Sequence, residues 1–172
     1  MTEARVTLAI AAAGDVIALD LWDDSEPPNL PTGRTLPVEP RRWWLIDAAQ
    51  HAPAITAHIA DRGALSPLGG GLIRATLTGP GWRGLLSVSG WFDSENPDFG
   101  PGQIAATTIH HVPVWIAPIS DTACEVYLPS SYAASLVDLW TRAIGGNRTA
   151  ACTVQQSRRQ LTAGKRTQWG PA

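Results

Sequence analysis

Fourteen prolines and sixteen glycines punctuate this chain of 172 residues, and they fall mainly between its apolar runs. Such punctuation leaves segments of strand length rather than helix length. Ser131 to Ile144 is the exception. There Tyr132, Leu136, Leu139, Trp140 and Ala143 recur at spacings of three and four, Ser130 or Ser131 stands where a cap is needed, and Gly145-Gly146 ends the run. A lone amphipathic helix has nothing to bury its stripe against, so the short runs must assemble into sheet that covers it. The expected class is α+β, with antiparallel or mixed sheets and three packed helices.

The remaining elements follow in order. Val6 to Ala12 and Val16 to Trp22 form a hairpin through Gly14-Asp15. Asp23 to Pro40 contains five prolines and is expected to be a surface loop. Arg41 to Asp47 is a strand, and Asp47 caps a helix running to about Asp61, with Ile55 and Ile59 on its buried face. Leu65 to Leu68 and Leu72 to Leu77 are strands separated by Gly69-Gly70-Gly71. A turn at Gly79-Pro80-Gly81 opens a short helix from Trp82 to Ser87, followed by a long loop from Gly90 to Gln103. Ile104 to His110, Val112 to Ile119 and Cys124 to Leu128 are strands. Pro113 and Pro118 restrict the second of these to an edge or to its own ends. Residues 1–149 are expected to make one compact unit, or two small lobes with a break near 62–72, and residues 150–172 an extended basic tail.

Composition narrows the class of function. With 44% apolar and 16% charged residues the chain is not a disordered tail. Its net charge of −2 argues against a nucleic-acid binder, and no apolar run reaches the ~18 residues of a membrane span. Glu3 interrupts what would otherwise be the basic start of a leader peptide. Cys124 and Cys152 form no metal pattern, so the expectation is a cytoplasmic protein with free thiols.

Catalytic signatures are weak. Gly79, Gly81 and Gly84 match GxGxxG between a strand and a helix. The helix is short, no acidic residue follows on a second parallel strand, and Trp82 and Arg83 stand where a phosphate would approach. The motif therefore reads as a packing turn, with Gly84 holding the helix close to its strand. Gly69-Gly70-Gly71 is followed by no Lys or Ser/Thr at phosphate-loop spacing, so it reads as a strand break. His110 and His111, adjacent on a strand, would point to opposite faces and could not share a metal. Cys124 alternates into the core, and no spacing singles out a pair among the fifteen carboxylates. Catalytic, cofactor and metal residues are all expected to be absent from this chain.

Interface residues are easier to nominate. The eight tryptophans include Trp43-Trp44, whose rings must face opposite sides of a strand, one toward the core and the other toward a covering loop or another chain. Residues 15–26 hold five acids and no base, whereas residues 139–172 hold Arg142, Arg148, Arg158, Arg159, Lys165 and Arg166 and no acid. The tail thus reads as a basic strap with Trp169 as its anchor. The candidate interface residues are Trp43, Trp44, His110, His111, Arg158, Arg159 and Trp169.

Four stretches in fixed order carry a resemblance: RTLPVEPRRWWLID (Arg34 to Asp47), GALSPLGGGLIRATLTGPGWRGLLS (Gly63 to Ser87), FGPGQIAATTIHHVPVWI (Phe99 to Ile116) and EVYLPSSYAASLVDLW (Glu125 to Trp140). Together they resemble the gamma subunit of heterotetrameric sarcosine oxidase. The resemblance implies a fold related to part of the folate-binding half of aminomethyltransferases. It also implies a structural subunit without a cofactor, in a complex that oxidatively demethylates sarcosine or a related N-methyl amine. FAD, FMN, NAD and tetrahydrofolate would belong to the larger flavoprotein partner subunits. The alternative is a free-standing folate-binding one-carbon protein.

Overall fold

The computed structural model describes residues 6–30 and 33–146. The expected tail, with Arg158, Arg159 and Trp169, lies outside the described residues, as does Cys152.

Among the described residues nine strands and three α-helices follow in the order β1 (Thr7–Ala12), β2 (Val16–Leu21), β3 (Arg34–Glu39), β4 (Arg42–Ile46), α1 (Ala52–Ile59), β5 (Gly63–Pro67), β6 (Leu72–Thr78), α2 (Trp82–Ser89), β7 (Ala105–Ile109), β8 (Val112–Ser120), β9 (Ala123–Pro129) and α3 (Ala133–Gly146). Single 3-10 turns stand at Ala49–His51, Gly69–Gly71 and Ser130–Tyr132. The strands make two sheets, β1-β6-β9-β8-β7 and β3-β4-β2-β5, with every neighbouring pair antiparallel.

Three apolar layers hold four structural layers together. Ile55 and Ile59 of α1 pack on Ile17, Leu19, Leu21 and Leu45 from one face of the four-stranded sheet. The opposite face of that sheet, through Val16, Ala18, Leu36, Trp44 and Ile46, meets Leu72, Ala117 and Tyr127 of the five-stranded sheet. The far face of the five-stranded sheet carries Leu77, Val114, Ile116, Val126 and Leu128, covered by Trp82, Leu85 and Leu86 of α2 and by Leu136, Trp140 and Ile144 of α3. The order is helix, sheet, sheet, helices. Strict alternation makes this possible: Cys124, Val126 and Leu128 face the helices, while Glu125 and Tyr127 face the other sheet.

Several expectations need correction. β1 and β2 are not a hairpin: β1 pairs with β6 and β2 with β4 and β5, so the chain changes sheets at Gly14-Asp15. Gly14 takes φ 66°, and the crossing is tied by Ala13 N donating to Leu72 O at 3.1 Å and Asp47 N donating to Asp15 O at 2.8 Å. Two short apolar runs around a Gly look the same whether the chain turns back or crosses over, because the local signal carries no partner.

The stretch expected to be a loop from Asp23 to Pro40 contains β3. Pro37 lies opposite Trp43 and the register slips between Pro37 and Glu39, on a strand at the sheet edge, where a missing N–H costs no ladder bond. The helix proper starts at Ala52, with Pro53 in its first turn, but Asp47 does not cap it. Asp47 instead sits at φ 55°, and the N–H of Ala49 is capped by Asp15 Oδ2 at 2.8 Å. The proline rule holds in β8. Pro113 lies where β8 pairs only with β7, and Pro118 where it pairs only with β9.

Candidate functional site

Charge is concentrated between the two sheets. Glu125 of β9 is buried there, and the guanidinium of Arg34 (β3) pairs with its Oε2. Tyr127 Oη donates to the same oxygen at 2.6 Å, and Arg74 Nη1 (β6) lies 3.6 Å from Oε1 and 3.8 Å from Asp47 Oδ1. Arg34 Nη2 also donates to Tyr127 Oη at 3.3 Å. Two guanidiniums thus face two carboxylates, and the group bolts strands of one sheet to strands of the other. Burial opposes the charge on Arg34, but Glu125 beside it, with Tyr127 and Asp47, more than offsets this and holds its proton more tightly than usual. Burial, then the hydrogen bond to Glu125, pushes the Tyr127 phenol well above its ordinary range. A phenol held in this way donates and does not act as a base. Burial also pushes the Cys124 thiol far up, so it remains a thiol rather than a nucleophilic thiolate.

Beside this group, Trp44 packs against Trp115 at 4.9 Å between ring centroids and edge-on to Tyr127 at 5.7 Å. A cleft of about 420 Å³ opens over the tryptophan pair, with Asp20, Glu39 and Arg42 among its lining side chains. Arg42 binds its proton more tightly than usual, chiefly through its hydrogen bond to Asp20.

The Gly79-Pro80-Gly81 turn has a defined task. Gly79 takes φ 126° and its N–H donates to Thr122 O at 2.7 Å. The fully buried Trp82 donates its indole N–H to Asp121 O at 3.0 Å, so the helix start is pinned to the β8–β9 turn. Arg83 lies over the Trp82 ring at 4.4 Å and donates to Ser94 O at 2.6 Å and Phe99 O at 2.8 Å. Ser94 Oγ returns a bond to Arg83 O at 2.5 Å. Arg83 thereby fastens the long Pro/Gly loop to α2. Gly84 does not do what the motif suggests: it is exposed, and a Cβ there would meet only Glu95 Oε1, at 3.8 Å. Gly84→Ala is therefore expected to leave stability unchanged or to raise it by up to about 1 kcal/mol, through helix propensity alone, measured by thermal unfolding.

The candidate interface residues separate. Trp44 is buried between the sheets, whereas Trp43 is half-buried against the core under α1. His110 and His111 are not on a strand. They form the two-residue turn between β7 and β8, with φ 47° and 67°, as a type I′ turn requires. Both are exposed, and they border a depression of about 310 Å³ with Val88, Gly90 and Trp91. Sequence reasoning missed Trp91 and Val88, which are 97% and 80% exposed. The available signal was the position of Trp91 immediately after α2, at the head of a loop with no apolar periodicity to bury it. The acidic run of residues 15–26 does not present a bare negative face. Asp20, Asp24 and Asp23 pair with Arg42, Arg41 and Arg62 at 2.6, 2.8 and 3.9 Å.

Among the described residues no three His, Cys, Asp or Glu side chains gather as a metal site, and no helix is long and apolar enough to cross a membrane.

The fold defined by these layers is that of a chain in a known assembly. The chain superposes with a TM-score of 0.70 on a chain of heterotetrameric sarcosine oxidase from Corynebacterium sp. U-96, solved in complex with pyrrole 2-carboxylate. The match covers 86% of this chain and 88% of that one, at 16% sequence identity, so the two chains are also close in length. No family model matches the sequence, and no curated protein does.

Proposed function

We propose that this chain is the small, non-catalytic gamma subunit of a heterotetrameric sarcosine oxidase-like complex, which oxidatively demethylates sarcosine or a related N-methyl amine. Its work is to cover and hold the larger flavoprotein subunits in register. FAD, FMN, NAD and tetrahydrofolate are assigned to those partners. The observation that carries this reading is the fold match over nearly the full length of both chains, one of them a component of a heterotetramer. The chemistry is consistent with it. The buried titratable groups are held in states that stabilise the sheets, with Tyr127 and Cys124 kept protonated.

The contact surface on this reading is centred on Trp91 and Val88 beside the His110-His111 turn. Large exposed aromatics of this kind are over-represented among the residues that dominate binding. Trp91→Asp is expected to leave the melting temperature unchanged, since the side chain packs on almost nothing in the chain itself. It should weaken retention by the larger subunits by a hot-spot share of ~2 kcal/mol or more, about thirtyfold in Kd. Co-expression with the larger flavoprotein subunits of such a complex, followed by affinity purification, measures it. Full retention of Trp91→Asp would place the contact elsewhere on the chain.

A further inference from the structure

We propose that the cleft over Trp44 and Trp115 binds a small organic cation of the alkylammonium class. Its volume of about 420 Å³ lies within the range of small-ligand sites. It opens at the seam of the two sheets, between β2, β3 and β4 on one side and β6 and β8 on the other, so rigid elements hold its walls. The tryptophan pair, with Val38, Leu68 and Leu72, gives it an apolar and π-rich wall.

The polar residues of the cleft decide the sign of the guest. Arg42 Nε donates to Asp20 Oδ1 at 2.6 Å, and Arg42 Nη1 to Glu39 Oε2 at 3.3 Å. One guanidinium is therefore shared by two carboxylates, leaving an excess of one negative charge. Among the described residues the second oxygen of each carboxylate accepts no hydrogen bond. An anion would meet this excess, and Arg42 is already committed. A neutral apolar guest would cover the carboxylates without compensating them. A cation with methyl or methylene groups balances the charge, sets its apolar surface against Leu68 and Leu72, and is attracted by the half-buried Trp115, the more accessible indole of the pair.

The test uses the full chain and choline as probe, with 3,3-dimethylbutan-1-ol, its uncharged isostere, as control. The indole N–H resonances are followed by two-dimensional NMR. Choline is expected to shift the Trp115 indole resonance saturably, with a millimolar Kd, and the isostere to bind at least about tenfold more weakly. Trp115→Leu, followed through the Trp44 indole resonance, should lose the choline shift. Glu39→Gln alters an exposed side chain on an edge strand, keeps the rest of the spectrum, and should weaken choline several-fold. The proposal is overturned by the lack of a saturable choline shift, by equal binding of the isostere, or by unchanged affinity in Glu39→Gln. Because Trp91 lies outside this cleft, none of these results bears on retention by the larger subunits.

Discussion

Gly69→Ala is expected to destabilise the chain by about 3 kcal/mol or more, whereas Gly70→Ala beside it should be close to neutral. A Cβ on Gly69 would fall 1.8 Å from Gly14 O and 2.7 Å from Gly14 C, both backbone atoms, while at Gly70 and Gly71 nothing lies within 4 Å. The collision occurs at the crossing between sheets, where Leu68 N also donates to Val16 O at 2.8 Å, so relief would require moving β2 against β6. Thermal unfolding of the two variants measures the difference. At ~2–4 °C per kcal/mol for a chain of this size, Gly69→Ala should melt roughly 10 °C lower. Equal melting temperatures would mean that the crossing is not packed as described.

Glu125→Ala should cost about 3–5 kcal/mol in urea unfolding, because it leaves Arg34 and Arg74 facing each other between the sheets with one carboxylate, Asp47, to share. Replacing both partners, as Glu125→Leu with Arg34→Met, should recover much of that loss, since the penalty lies in the orphaned charge more than in the missing attraction. If the double variant is as unstable as Glu125→Ala, the group contributes packing that leucine and methionine cannot reproduce.

Some of this was legible in the sequence because it was local. The periodicity of Tyr132, Leu136, Leu139 and Trp140 marked α3 within two residues, and the Gly79-Pro80-Gly81 turn marked where α2 begins. The α+β class followed from those two elements and the strand-length runs. What was not legible depends on partners far along the chain. β3 was hidden because prolines look like loop until one knows that the strand is an edge. The false β1–β2 hairpin has the same cause, as does the inter-sheet group, in which Arg34 and Glu125 stand 91 positions apart. His110-His111 was misread because Ile109 and Val112 enclose a turn that usually carries Asn or Gly. Of the nominated interface residues, Trp44 went to the core, and Trp91, the most exposed aromatic among the described residues, was overlooked.

Assembly is the property on which the proposed role depends. The direct measurement is co-expression of this chain with the proposed larger flavoprotein subunits, followed by gel filtration with absorbance recorded across the visible range. The chain should elute with the flavoproteins at a fixed stoichiometry, with flavin absorbance in that peak. Expressed alone, it should elute as a small species with no flavin absorbance and no sarcosine oxidation. Elution apart from the flavoproteins, or flavin retained by the chain on its own, would contradict the role of a cofactor-free subunit that holds the complex together.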